Sequence, residues 1–193
     1  MSSTIPEWLL DTGILQFGHF VFDDTVAPVR FCPEYLPAYP QLLAEVGKLA
    51  LGKFNALEVD HLIASADSVP LGLVCSLQTG LPLVYSRGRG EAAVYDLVGS
   101  YNSGHICTLL LNSAVKINAI QKFILNARSV GLQIQTIVTL LELRKFGHLG
   151  HPAEIPIQSL FQLGDLVPKF VTTRRLSKGQ AHSVMNWIET SES

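Results

Sequence analysis

Charged side chains are scarce in this chain of 193 residues: Asp, Glu, Lys and Arg make up 16%, against 48% hydrophobic residues. Soluble domains ordinarily carry about a quarter, and the deficit suggests apolar surface covered by a partner subunit. The formal net charge is only −2, which leaves no global attraction to nucleic acid or to an anionic membrane. Long apolar runs are missing: none approaches the roughly 20 residues that span a bilayer. Cysteine is limited to Cys32, Cys75 and Cys107, widely separated and without CxxC or Cys/His spacing. That pattern excludes a disulfide framework and a zinc site, and it predicts buried, reduced thiols. The opening MSSTIPEWLL lacks the basic region and apolar core of a signal peptide, so a cytoplasmic protein is expected. No Gly-x-Ser-x-Gly elbow surrounds Ser65 or Ser68, which argues against hydrolase chemistry. Repeats and low-complexity segments are absent as well.

What is present is an alternation of short apolar runs with helical patterns. Residues 5–11 form a short helix, with Thr4 as cap and Pro6 in its first turn, and residues 16–22 (QFGHFVF) form a strand. Four prolines, Pro28, Pro33, Pro37 and Pro40, make residues 23–40 read as irregular. Residues 42–51 carry apolar side chains at helical spacing and stop at Gly52. A strand over 59–64, a turn over 66–70, a helix over 71–79 ending at Gly80, and a strand over 81–85 follow. Residues 86–92 make a polar loop, and 95–98 a short strand. The run 133–143 alternates at first and then becomes largely apolar, as a buried parallel strand would. The tail holds short helices near 160–167 and 180–188. Strands and helices alternating in this way imply an α/β fold, a parallel sheet with helices on both faces.

The centre of the pattern is GHICTLLLNSAVKINAIQKFILNARSVG, residues 104–131. It reads as a buried strand (106–111), a tight loop (112–117) and a helix from about Asn118 to Gly131. Ligands of open α/β sheets bind beyond the carboxyl ends of the strands, and a helix N-terminus there attracts anions. Asn112, Ser113, Lys116 and Asn118 are therefore candidate contacts for an anion or phosphate; helix capping by Asn118 and a solvated Lys116 are the plainer alternatives. Arg87 and Arg89 flank glycines as a clamp on a polyanion would, or as an ordinary surface loop would. Asp23, Asp24 and Asp67 fit turn chemistry better than metal binding. His148 and His151 lack a third ligand nearby, so no metal site is expected. His19 and His61 read as core or interface residues, and Arg174, Arg175 and Lys178 as a solvated face.

Several segments together resemble the orotate phosphoribosyltransferases of the type I phosphoribosyltransferase family. LLDTGILQFGHFVF (9–22) is similar to that family's opening helix and "G-A-x-x-F-G-x-F" strand. VDHLIASADSVPLGLVCSLQTGLPLVYSR (59–87) is similar to its strand, diphosphate loop, "P-L-A" helix and "K-P-L-V-Y-x-R" strand. VGSYNSGHICTLLL (98–111) resembles the run into the phosphoribosyl-diphosphate motif, and SLFQLGDLV (159–167) the C-terminal "S-L-x-x-x-x-D-L". The resemblance implies one domain over residues 1–193, with a core at about 42–145 and a small hood from 1–40 and 150–193. It also implies a homodimer.

The residues at the family's catalytic positions differ. Where the family has two acidic residues and a threonine- and glycine-bearing phosphate loop, this chain has Leu111 and Asn112, then Ser113, Ala114, Val115, Lys116 and Ile117. Ala66, Asp67 and Ser68 stand in the diphosphate loop, where Asp67 would repel a diphosphate unless magnesium intervened. Arg87 matches a family position, but the loop after it lacks the family's lysines and histidine, and Asp23, Asp24 and Thr25 replace "K-S-G". The resemblance with these departures implies a pseudoenzyme that has lost phosphoribosyl transfer and serves ligand sensing or protein interaction. Two alternatives remain: an active, magnesium-dependent phosphoribosyltransferase of nucleotide metabolism with a rearranged site, and a structural dimeric scaffold. The expected partners are a second copy and a phosphorylated small molecule, with no membrane and no nucleic acid.

Overall fold

The computed structural model describes residues 4–22, 25–88, 97–114, 117–143 and 155–190. Helix α1 (Ile5–Asp11) begins as its sequence requires: the Thr4 backbone N–H donates to the Glu7 carboxylate at 2.8 Å, and Pro6 lies in the first turn. Strand β1 (Leu15–Phe22) then pairs antiparallel with β2 (Thr25–Phe31). Residues 25–31 are thus a strand, and Pro33–Ala38 a 3₁₀ helix, where prolines had suggested irregular chain. Pro28 is tolerated because the ladder shifts register there. Pairing passes from Phe17↔Val29 to Phe20↔Ala27, and no hydrogen bond is demanded of a proline nitrogen.

The main body follows: α2 (Pro40–Leu51), β3 (His61–Ala64), α3 (Val69–Thr79), β4 (Leu83–Ser86), β5 (Leu97–Val98), β6 (Ile106–Ala114), α4 (Ile117–Ser129), β7 (Gln133–Glu142), β8 (Ile157–Gln162), α5 (Leu163–Thr172) and α6 (Lys178–Thr190). Six strands form one sheet in the order β5-β4-β3-β6-β7-β8. All neighbours are parallel except β5, an antiparallel edge strand on β4. Residues 157–162 pair with β7, as in Leu141↔Phe161, so the helix expected from 160 starts only at Leu163. A free sheet edge has captured a segment whose own pattern was ambiguous. Strand β6 likewise runs three residues past the expected end at 111, because Ser113 and Ala114 pair with Leu141 and Glu142.

Alternation along the strands divides the core into two layers. On one face Leu62, Leu110, Val138 and Leu140 pack with Leu42 and Val46 of α2, Leu71 and Cys75 of α3, and Leu166 and Phe170 of α5. On the other, Ile63, Leu109, Leu111 and Ile137 pack under Ile120, Phe123, Ile124 and Ala127 of α4. The two ends of the chain meet: Arg175 Nη1 bonds Asp11 Oδ1 at 2.6 Å, and Phe17 and Phe170 stand edge to face at 5.9 Å. Arg175 therefore belongs to an exposed ion pair rather than to a free basic cluster.

Gly104 and Gly131, the ends of the central stretch, are joined by a bond of 2.7 Å from the Gly104 N–H to the Gly131 carbonyl. Gly131 has φ +87°, and a Cβ there would fall 2.3 Å from Ser103 Oγ. Gly80 caps α3 at φ +75°, with open space around it. Gly80→Ala is therefore expected to cost about 1 kcal/mol from conformation alone, and Gly131→Ala clearly more, because strain and overlap add. Urea unfolding of the two variants measures the difference, and equal losses would contradict it.

Candidate functional site

The order of the sheet reverses between β3 and β6: the chain moves outward to β4 from one and to β7 and β8 from the other. Strand ends splay apart at such a switch point, and the crevice beyond their carboxyl ends is where open α/β sheets bind ligands. Two segments border it here. One is the 3₁₀ turn Ala66–Ser68, which feeds the N-terminus of α3. The other is the end of β6, carrying Leu111, Asn112 and Ser113.

These segments are tied together. The Asn112 backbone N–H donates to Ser68 Oγ at 2.8 Å, and Asn112 Nδ2 donates to the Asp67 carbonyl at 2.6 Å. Ser65 Oγ bonds the Asp67 carboxylate at 2.6 Å and lies 2.8 Å from Ser68 Oγ. Asn112 is 2% exposed and Ser68 fully buried. Because a carbonyl can only accept, the amide nitrogen must face Asp67, and this leaves Asn112 Oδ1 buried without a partner. Leu111 turns the other way, into the layer under α4. Ser113 is half-buried, and Asp67 is exposed.

Of the sequence-predicted residues, the fold thus brings Ala66, Asp67, Ser68 and Asn112 into one cluster. Arg87 is exposed just beyond the end of β4, where Ser86 Oγ accepts the Gly88 N–H at 3.2 Å. Asn118 lies in the first turn of α4. Lys116, Arg89, Asp23, Asp24, His148 and His151 fall outside the described residues. His61 is a core residue, as expected: it is 6% exposed, its Nε2 donates to the Ser100 carbonyl at 2.8 Å, and its ring stacks on His105 at 4.6 Å. His19 is exposed.

Sequence reasoning passed over Glu142. Its side chain, 5% exposed at the carboxyl end of β7, accepts a hydrogen bond from Ser159 Oγ of β8. The available signal was its position as the one charged residue in an otherwise uncharged strand, QIQTIVTLLE.

The site offers little to a cation or to thiol chemistry. Magnesium prefers several carboxylate or phosphate oxygens. Here Leu111 is apolar, Asn112 Oδ1 is buried, and the carboxylates of Asp67 and Glu142 are each held by a serine. Among the described residues no group of three His, Cys, Asp or Glu could hold a metal. The residues present do not fit a magnesium site. Burial pushes the Cys75 and Cys107 thiols up to about 12, and raises that of Cys32, so all three are protonated at neutral pH. All three are free and buried.

Neither protein-family models nor curated proteins give a match to the sequence. Solved structures do. The UMP synthase of Leishmania donovani superposes on 96% of this chain with a TM-score of 0.79 and 21% identity. The chain has the fold of an orotate phosphoribosyltransferase. The Aeropyrum pernix orotate phosphoribosyltransferase agrees, with a TM-score of 0.72 and 20% identity over 87% of this chain and 99% of that one. So does the Mycobacterium tuberculosis enzyme solved with inorganic phosphate, at 0.65 and 13% over 84% and 95%. The chain spans 42% of the length of the Leishmania protein. This type I phosphoribosyltransferase fold is the one implied by the resemblance, with helices on both faces of the sheet. Among the described residues no helix is long and apolar enough to cross a membrane.

Asn112→Asp, an isosteric change, removes the donor to Asp67 and sets a carboxylate against a carbonyl. It is expected to destabilise the protein by about 1–3 kcal/mol at neutral pH. The deficit relative to wild type should shrink towards about pH 4, where a protonated carboxyl can donate again. Urea unfolding at both pH values is the measurement, and a pH-independent deficit would contradict the assigned bond.

Proposed function

We propose that this chain keeps the phosphoribosyltransferase fold without phosphoribosyl transfer, and that it acts by binding, as a ligand sensor or protein-interaction module. The observation that carries this reading is the Asn112 tie. Where such a fold needs accessible acceptors for ribose hydroxyls and open amides for diphosphate, both donors of Asn112 hold the Ala66–Ser68 turn and its Oδ1 is buried. Leu111 supplies no oxygen, and the exposed Asp67 carboxylate opposes a polyanion. Catalysis of this kind rests on positioning and electrostatic stabilisation, so the loss of several such groups together leaves little rate enhancement. Lys116 and Asn118, which follow β6 in the chain, remain candidate contacts for a phosphorylated small molecule.

A rearranged but active site is the second reading. It is favoured by the exposure of both Asp67 and Arg87 at the carboxyl ends of neighbouring strands. A diphosphate-release assay with orotate, phosphoribosyl diphosphate and magnesium separates the two. Background release is expected; turnover comparable to an active orotate phosphoribosyltransferase assayed alongside would reject the binding role.

A homodimer with a hood built from the chain termini is part of the same proposal. Helix α3 carries no charged side chain in VPLGLVCSLQT, yet Leu73 and Leu77, one turn apart, are 50% and 76% exposed. A neutral apolar stripe of this kind suits a self-complementary two-fold contact. Sedimentation should give a dimer for the wild type and a monomer for Leu77→Glu. A monomeric wild type would refute the contact.

A further inference from the structure

A groove of about 750 Å3 opens at the amino-terminal end of the sheet, away from the switch-point crevice. That volume lies in the range of small-molecule sites. Its walls include Ser103, Arg128, Gln133 and Gln135; Ile134 and Ile155, each only 3% exposed, also line it. Backbone hydrogen bonds tie its walls together. The Gly104–Gly131 bond clamps Ser103 against the turn after α4, and the Gln133 N–H donates to the His105 carbonyl at 2.9 Å.

Two features distinguish it from an ordinary surface hollow. First, the β6–β7 ladder passes from Cys107↔Ile134 to Thr108↔Thr136, so Gln135 is an extra residue in a parallel pairing. Bulges are rare in parallel ladders and turn side chains towards sites. Pairing with β8 starts only at Ile137, so the bulged segment lies beyond the reach of that strand. Second, Arg128 is half-buried, and among the described residues no carboxylate pairs with it. Its place in the last turn of α4 favours a cation, but does not account for a guanidinium set in a groove beside the side chains of a serine and two glutamines.

We propose that this groove binds a small molecule through one oxyanion, a carboxylate or a phosphate monoester. Arg128 takes the oxyanion through its planar fork. Ser103 and the amides of Gln133 and Gln135 supply further donors. The site stands at the opposite end of the sheet from the Asn112 cluster, and it is independent of whether that end performs transfer.

Benzoate and phenyl phosphate distinguish the two oxyanions, and benzamide is the uncharged control. Each is titrated into the isotope-labelled full chain while backbone amide resonances are followed. At least one anion should shift Ser103, Gln133 and Gln135 saturably in the millimolar range, and benzamide should not. Arg128→Gln should weaken that binding about tenfold or more, the worth of one charge-assisted hydrogen bond. Ser103→Ala should weaken it less, and an unchanged thermal midpoint in each variant shows that the fold persists. The proposal is overturned by three results: no saturation by about 10 mM with either anion, beyond what a single-anion fragment needs; shifts that map to Ser68 and Asn112 instead; or equal binding by Arg128→Gln.

Discussion

The architecture rests on one strand that needs cover on both sides. In β6, Leu110 faces α2 and α3 while Leu109 and Leu111 face α4, all of them buried. Leaving either face in water would forfeit about 2 kcal/mol per large side chain. The strand must therefore lie inside a sheet with a layer on each side, and β3 and β7 flank it in parallel on both edges. The αβ alternation, the helix on the opposite face and the reversal of strand order all follow from satisfying that requirement with short connections.

Placing β6 beside β3 creates the switch point, and with it the question of what fills the crevice. Asn112 pins the turn ahead of α3, Ser65 and Ser68 share the bonding of Asp67, and Glu142 is engaged by Ser159. Polar groups are plentiful at these carboxyl ends, but they are spent largely on one another. The unpaired Asn112 Oδ1 marks where that mutual satisfaction is incomplete. A fold shared with the orotate phosphoribosyltransferases at 13–20% identity carries no chemistry by itself, since function resides in the side chains set on it.

The other end of the sheet has the converse character. There a bulge and two paired glycines hold a half-buried arginine beside a groove, and nothing among the described residues neutralises it. The glycines explain why the geometry is definite: Gly131 admits a left-handed turn and close approach by Ser103 that any side chain would prevent.

Much of this was legible in the sequence, for local reasons. Thr4 and Pro6 announced α1; Gly80 and Gly131 marked helix ends; the apolar runs of β6 and β7 declared buried parallel strands; and the order of motifs gave the family likeness. What the local pattern could not decide depended on partners distant in the chain. Residues 25–31 became a strand because β1 offered an edge with a bulge opposite Pro28, and 157–162 because β7 offered another. Leu111 and Asn112 were visible as departures from a motif, but only packing assigned one to the core under α4 and the other to the turn before α3. Glu142 was hidden by its apolar neighbours, and its importance lies in Ser159, 17 residues away. Sequence determined the elements, the layering and the identity of the residues at the crevice, because propensity and periodicity are local. Tertiary structure alone decided which of those residues are occupied with each other, because a hydrogen bond depends on where both of its ends are brought.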